Sequence, residues 1–133
     1  YVAVAPTYPE CDERNVETTL RAVMALDPVT VFHEPMNIRA ENVKRIAQHA
    51  ASLGVALKTE VFATPRAWRS YELSALHSVE RIARDLGIED RLHLWPDSSL
   101  GSIASCKEVE DRSAHAAWLE RCWSRVSEWS GKP

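Results

Sequence analysis

Three carboxylates lie at or near the ends of runs that read as strands: Glu34 after Val29-Thr30-Val31-Phe32, Glu60 within Val55–Phe62, and Asp97 after Arg91–Trp95. On neighbouring parallel strands such groups converge on one rim, where α/β proteins bind ligands. Glu34 and Glu60 on adjacent strand ends would suit a carboxylate-based hydrolase or isomerase, including glycoside hydrolysis. His33, Glu34, Glu60, His93 and Asp97 are also of the types that bind zinc or manganese, but their spacing matches no metal signature, so no metal is assigned. Asn37-Ile38-Arg39 directly precedes a helix, whose free N–H groups together with Arg39 could hold a carboxylate or phosphate. The plainer alternative is that Asn37 caps the helix and Arg39 is solvated. The chain has no GxGxxG, no GxxxxGK and no GxSxG context for its serines, which argues against a phosphate-cradling loop or a serine hydrolase.

Alternating elements must position these residues. Tyr1–Ala5 reads as a buried strand, broken by Pro6 and Pro9. A helix opening at Cys11 or Asp12 presents Val16, Leu20, Ala22, Val23 and Leu26 and stops at Asp27-Pro28. Val29–Phe32 is a second strand, followed by a polar loop, His33–Arg39. A helix from about Ala40 carries Val43, Ile46, Ala47, Ala50 and Leu53 and ends at Gly54. Val55–Phe62 reads as a third strand. Thr64-Pro65 starts a helix that runs to Leu86, with Gly87 after it. Arg91–Trp95 is a fourth, short strand, and residues 98–107 look irregular. A last helix over 108–129 stacks Trp118, Cys122, Val126 and Trp129, widened by Leu119 and Trp123. That stripe packs on a sheet or, being rich in tryptophan, meets a partner. The expectation is an α/β fold of four β-α units with a parallel sheet. It is either a small open sheet or a slice of a (β/α) barrel.

The 133 residues are 45% hydrophobic and 26% charged, as in one ordinary folded domain spanning 1–133. No apolar run is long enough for a membrane helix. The net charge of −3 gives no support for nucleic-acid binding. Three widely spaced cysteines, Cys11, Cys106 and Cys122, suggest a reducing compartment such as the cytoplasm.

Several strings carry a family resemblance. Pro6-Thr7-Tyr8-Pro9, the stretch from Asp27 through His33-Glu34-Pro35-Met36-Asn37-Ile38-Arg39 to Val43, Ser52-Leu53-Gly54-Val55, and Leu92-His93-Leu94-Trp95-Pro96-Asp97 resemble the later part of radical SAM proteins of the spore photoproduct lyase-like branch. The likeness spans roughly residues 1–101. It implies the C-terminal half of a (β/α) barrel that binds S-adenosylmethionine and a [4Fe–4S] cluster and forms a 5′-deoxyadenosyl radical. Glu34, Asn37, Arg39, Glu60 and Asp97 would line the cofactor or substrate side. The family's CxxxCxxC cluster loop does not occur in this sequence, and Tyr1 already opens a strand. The expectation is a fragment whose cluster loop precedes Tyr1 and which does not catalyse alone.

Three readings therefore stand. The chain is part of a radical SAM enzyme, a self-contained small hydrolase or isomerase using Glu34 and Glu60, or a non-catalytic binding or assembly module. The partner implied by the first is the remaining half of the barrel. The exposed strand edges of a half-barrel would favour a homodimer in isolation.

Overall fold

The computed structural model describes residues 1–37, 40–105 and 111–129. Its elements are β1 (Val2–Thr7), α1 (Glu13–Met24), β2 (Val31–Pro35), α2 (Ala40–Ser52), α3 (Pro65–Asp85), β3 (Leu92–Leu94) and α4 (Arg112–Trp129), with 3-10 segments at Thr59–Phe62 and Ser98–Ser105. The strands form an open parallel sheet in the order β1-β2-β3.

Local chemistry accounts for most element boundaries. Asp12 caps α1 by accepting from the Asn15 N–H at 2.8 Å, and the Asn15 side chain accepts from the Asp12 N–H. This reciprocal bonding satisfies donors that a helix start leaves open. Thr64 caps α3 with Pro65 at its first position, where a missing N–H costs nothing. Gly54 and Gly87, after α2 and α3, have φ of +73° and +69°, which glycine adopts with least strain.

Strand alternation divides the sheet into two unlike faces. Val31, Leu92, Leu94 and the partly buried Val4 join a core with Val16 and Leu20 of α1, Leu76, Val79, Ile82 and Ala83 of α3, and Trp118, Leu119 and Cys122 of α4. Ala3, Phe32 and His93 lie in register on the other face. There Phe32 meets the rings of Tyr1, His93 and Trp95 at 5.9, 5.4 and 6.1 Å. Tyr1 is 78% exposed and Trp95 48%, while Phe32 beneath them is buried, so the outer rings of this face meet solvent.

The sheet has three strands among the described residues, not four. Val55–Phe62 is not a strand: it ends in a 3-10 turn, and the Lys58 N–H donates to the Glu10 carboxylate instead of a ladder. The run is rich in strand-forming residues, but β2 is already paired with β1 on one edge and β3 on the other. Strand propensity reflects a place to pack rather than a fixed backbone preference.

Smaller differences follow. β1 runs through Pro6 to Thr7 rather than breaking at Pro6, and it alternates between half-buried and exposed residues rather than being buried. Leu26 is exposed rather than part of the α1 face, and Val29 lies outside β2. His33, Glu34 and Pro35 belong to β2 itself, not to a loop. In α4, Trp118, Leu119 and Cys122 are buried. Trp123 packs on Gly101 and donates to the Pro96 carbonyl at 3.5 Å. The side chains of Val126 and Trp129 lie outside the described residues.

Candidate functional site

The carboxyl ends of β1 and β2 are clamped by the first turns of α3. The Met36 N–H donates to the Thr7 carbonyl at 2.9 Å. Trp68, 3% exposed, donates its Nε1–H to the Met36 carbonyl at 3.1 Å. The Tyr71 hydroxyl donates to the Thr7 carbonyl at 2.9 Å, and burial pushes its pKa up to about 12. Such bonds satisfy backbone groups that a strand end otherwise leaves open.

On the same side of α3 lies Glu72, 3% exposed. Its Oε1 accepts from the Asp97 N–H at 2.7 Å, just after β3. Asp97 in turn organises the rim. Its Oδ2 accepts from the Asn37 side chain at 2.9 Å, and its Oδ1 accepts from the Ser99 N–H at 2.8 Å. The Glu72 pKa is raised to about 7, first because burial strips water from its charged form, then through the charges of Asp97 and Glu34. The Asp97 N–H opposes the rise. Glu72 is therefore divided between its neutral and charged forms near neutral pH, as acid–base groups in enzymes often are. Its Oε2 has no hydrogen-bond partner among the described residues.

His33 lies on the core face of β2, level with Val4 and Leu94, and is fully buried. Its Nε2 is hydrogen-bonded to Thr7 Oγ1 at 3.1 Å, and its Nδ1 has no partner among the described residues. Burial pushes its pKa down to about 4, so the ring is neutral at pH 7.

The structure joins Asn37 and Asp97 by a hydrogen bond, and Glu34 lies within the last residues of β2. Arg39 lies outside the described residues. Glu60 is not at a strand end. It sits exposed in the 3-10 turn and lines a cleft of about 730 Å³ between α1 and α3, with Thr7, Tyr8, Lys58, Ser70 and Tyr71. Among the described residues, Asp97 and Glu34 are the carboxylates whose charges add to the rise in the Glu72 pKa.

Sequence reasoning passed over Glu72, although a signal exists. The buried stripe of α3 runs Trp68, Leu76, Val79, Ala83, and Glu72 stands midway between its first two members, on the same face. An acid at such a position must be partnered or shifted in pKa.

Among the described residues no group of three or more His, Cys, Asp or Glu is placed to hold a metal ion. Cys11 is exposed before α1, whereas Cys122 is buried under α4 with its pKa pushed up to about 11 by burial. Cys106 lies outside the described residues. This does not fit a [4Fe–4S] cluster held by this chain alone. Comparison with protein-family models, with curated proteins and with solved structures gives no match.

Proposed function

We propose that this chain supplies the C-terminal sector of a radical SAM barrel, with its ligand end at the rim formed by Glu34, Asn37, Glu72 and Asp97. One observation carries the reading beyond the resemblance: the strands run in sequential order with α1, α3 and α4 packed on one face and an aromatic face left open. Right-handed crossovers that always move the same way place helices on one side, as in a barrel wall, whereas a doubly wound sheet covers both. In that setting the open face of Phe32, His93 and Trp95 would look into the barrel.

S-adenosylmethionine, when reduced by its cluster, supplies a carbon radical. The cysteines of this chain do not fit that cluster. The role left to this chain is binding and orientation. Glu34, Asn37 and Asp97 offer acceptors and a donor suited to hydroxyl or amino groups of a bound molecule.

The test is the coding sequence adjoining this segment. A CxxxCxxC motif on the N-terminal side is the expected result. The extended protein, reconstituted with iron and sulfide, should then form 5′-deoxyadenosine, while the 133-residue chain should not. An adjoining sequence without that motif overturns the reading.

A second reading has one specific observation in its favour, the raised pKa of Glu72. A self-contained acid–base enzyme would use Glu72 as its proton-holding group beside Glu34. Turnover of any substrate by the isolated chain, lost in Glu72→Gln, would favour it.

A further inference from the structure

α2 is a 13-residue helix that the chain leaves largely uncovered. Of residues 42–52, none is buried. α1 and α3 bury Val16, Leu20, Leu76 and Val79, whereas α2 packs chiefly on the 3-10 turn Thr59–Phe62. A helix this short is marginal in water unless its apolar face packs on something. That face carries Val43, Ile46, Ala47 and Ala50, all half-buried. It runs on into Leu53 and Val55, which are 68% and 51% exposed. Contiguous apolar surface of this kind marks a contact with a partner.

Beside this face runs an apolar groove of about 790 Å³, lined by Ile46, Leu53, Val55 and Leu57. Two charges of opposite sign line the same groove: Glu10, from the loop between β1 and α1, and Arg45, from α2. They are not bonded to each other. The Glu10 carboxylate accepts the Lys58 N–H, and the Arg45 guanidinium donates to Asn42 Oδ1 at 2.7 Å. A surface with an apolar floor, one acid and one base is complementary to itself under a two-fold rotation, because each contact then occurs twice. We propose that a second copy of this chain covers the groove, α2 against α2 about a two-fold axis, with Arg45 of each copy facing the partner's Glu10. The proposal does not rest on the radical SAM reading, since no rim residue takes part. It differs from pairing of strand edges, which would join backbone ladders at β1 or β3.

Sedimentation equilibrium of the 133-residue chain at about 50 μM should show a dimer, since contacts of ordinary size reach micromolar affinity or better. Leu53→Glu puts a carboxylate in the apolar centre of the contact, from a position that is exposed in the single chain. It should weaken the dimer about a hundredfold or more and leave the fold intact by circular dichroism. Glu10→Lys and Arg45→Glu each set two like-charge contacts across the axis, and each should weaken the dimer about tenfold. An equal mixture of these two variants should restore it, because both contacts between the unlike chains again pair opposite charges. A change of fold in either variant would give no such rescue. Should Glu10→Lys fail to fold, Leu53→Glu still decides the matter. A wild-type monomer at that concentration, a dimer that survives Leu53→Glu, or a mixture no tighter than its two components would overturn the proposal. The second of these results would point to the strand edges instead.

Discussion

Glu60 and Glu72 are close in sequence and end up in opposite situations. Glu60 lies in a short 3-10 turn over an open cleft, exposed to water on a segment with no fully buried side chain. Glu72 lies inside the packing of α3 against the strand ends, flanked by Trp68 and Leu76 and bonded to the Asp97 backbone. Glu60 faces an open cleft, whereas Glu72 is enclosed by protein, and burial raises its pKa to about 7. Water around Glu60 does for its charge what the protein would otherwise have to do. At Glu72 the protein must do it, and its surroundings add like charge instead. A carboxylate is made chemically unusual by what surrounds it, not by closeness to a strand end.

Truncating one packed side chain in each region gives the largest expected contrast. Trp68→Ala removes a nearly fully buried indole and its bond to the Met36 carbonyl, and should cost about 3–5 kcal/mol. Val61→Ala, in the half-buried wall of the cleft, should cost only about 1 kcal/mol. Urea unfolding of both variants measures the difference. Equal losses would mean that the cleft is as tightly built as the rim, and the comparison would fail.

Acid–base linkage sharpens the contrast at an intermediate size. Glu72 goes from an ordinary 4.5 to about 7 on folding. The folded chain holds this proton more tightly, so the stability it contributes is complete below pH 4.5 and lost as pH rises through 7. His33 goes the other way, from 6.5 to about 4. Its contribution is complete above pH 6.5 and lost as pH falls through 4. Each is worth about 3 kcal/mol. Between pH 4.5 and 6.5 the two slopes oppose and nearly cancel in the wild type. Glu72→Gln should uncover a stability that rises with pH across that window. His33→Gln should uncover one that falls. Urea midpoints at pH 4.5, 5.5, 6.5 and 7.5 read these slopes whatever the variants cost overall. Flat profiles in both would show that neither group is held as its burial implies.

How much of this could be read from sequence depends on how far apart the deciding residues lie. The helix starts at Asp12 and Thr64-Pro65 and the turns at Gly54 and Gly87 are decided within a few residues, and they appear where the sequence places them. The strand expected at Val55–Phe62 is decided by partners far away. Once β3 pairs with β2, no edge of β2 remains for it. The rim was legible only in part, for the same reason. Glu34, Asn37 and Asp97 follow strand runs and are found by position. The bond between Asn37 and Asp97 joins residues 60 apart. Glu72 reads as one more solvated helix acid until β3 brings Asp97 against it. Its place within an apolar stripe was the one local clue.

The smallest expected effect is at the cleft. Glu60→Gln removes a charge from an exposed side chain. Water stabilises that carboxylate in folded and unfolded chains alike, so the change should fall within about 0.5 kcal/mol. For the same reason the opposed slopes of Glu72 and His33 should be untouched. Charges that do alter them must lie close to the rim, because exposed charges are screened beyond roughly 8–10 Å at ordinary salt. A shift of the Glu72 slope in Glu60→Gln would therefore show that cleft and rim share one electrostatic site. It would also bring back the pairing of Glu34 with Glu60 that their expected strand-end positions first suggested.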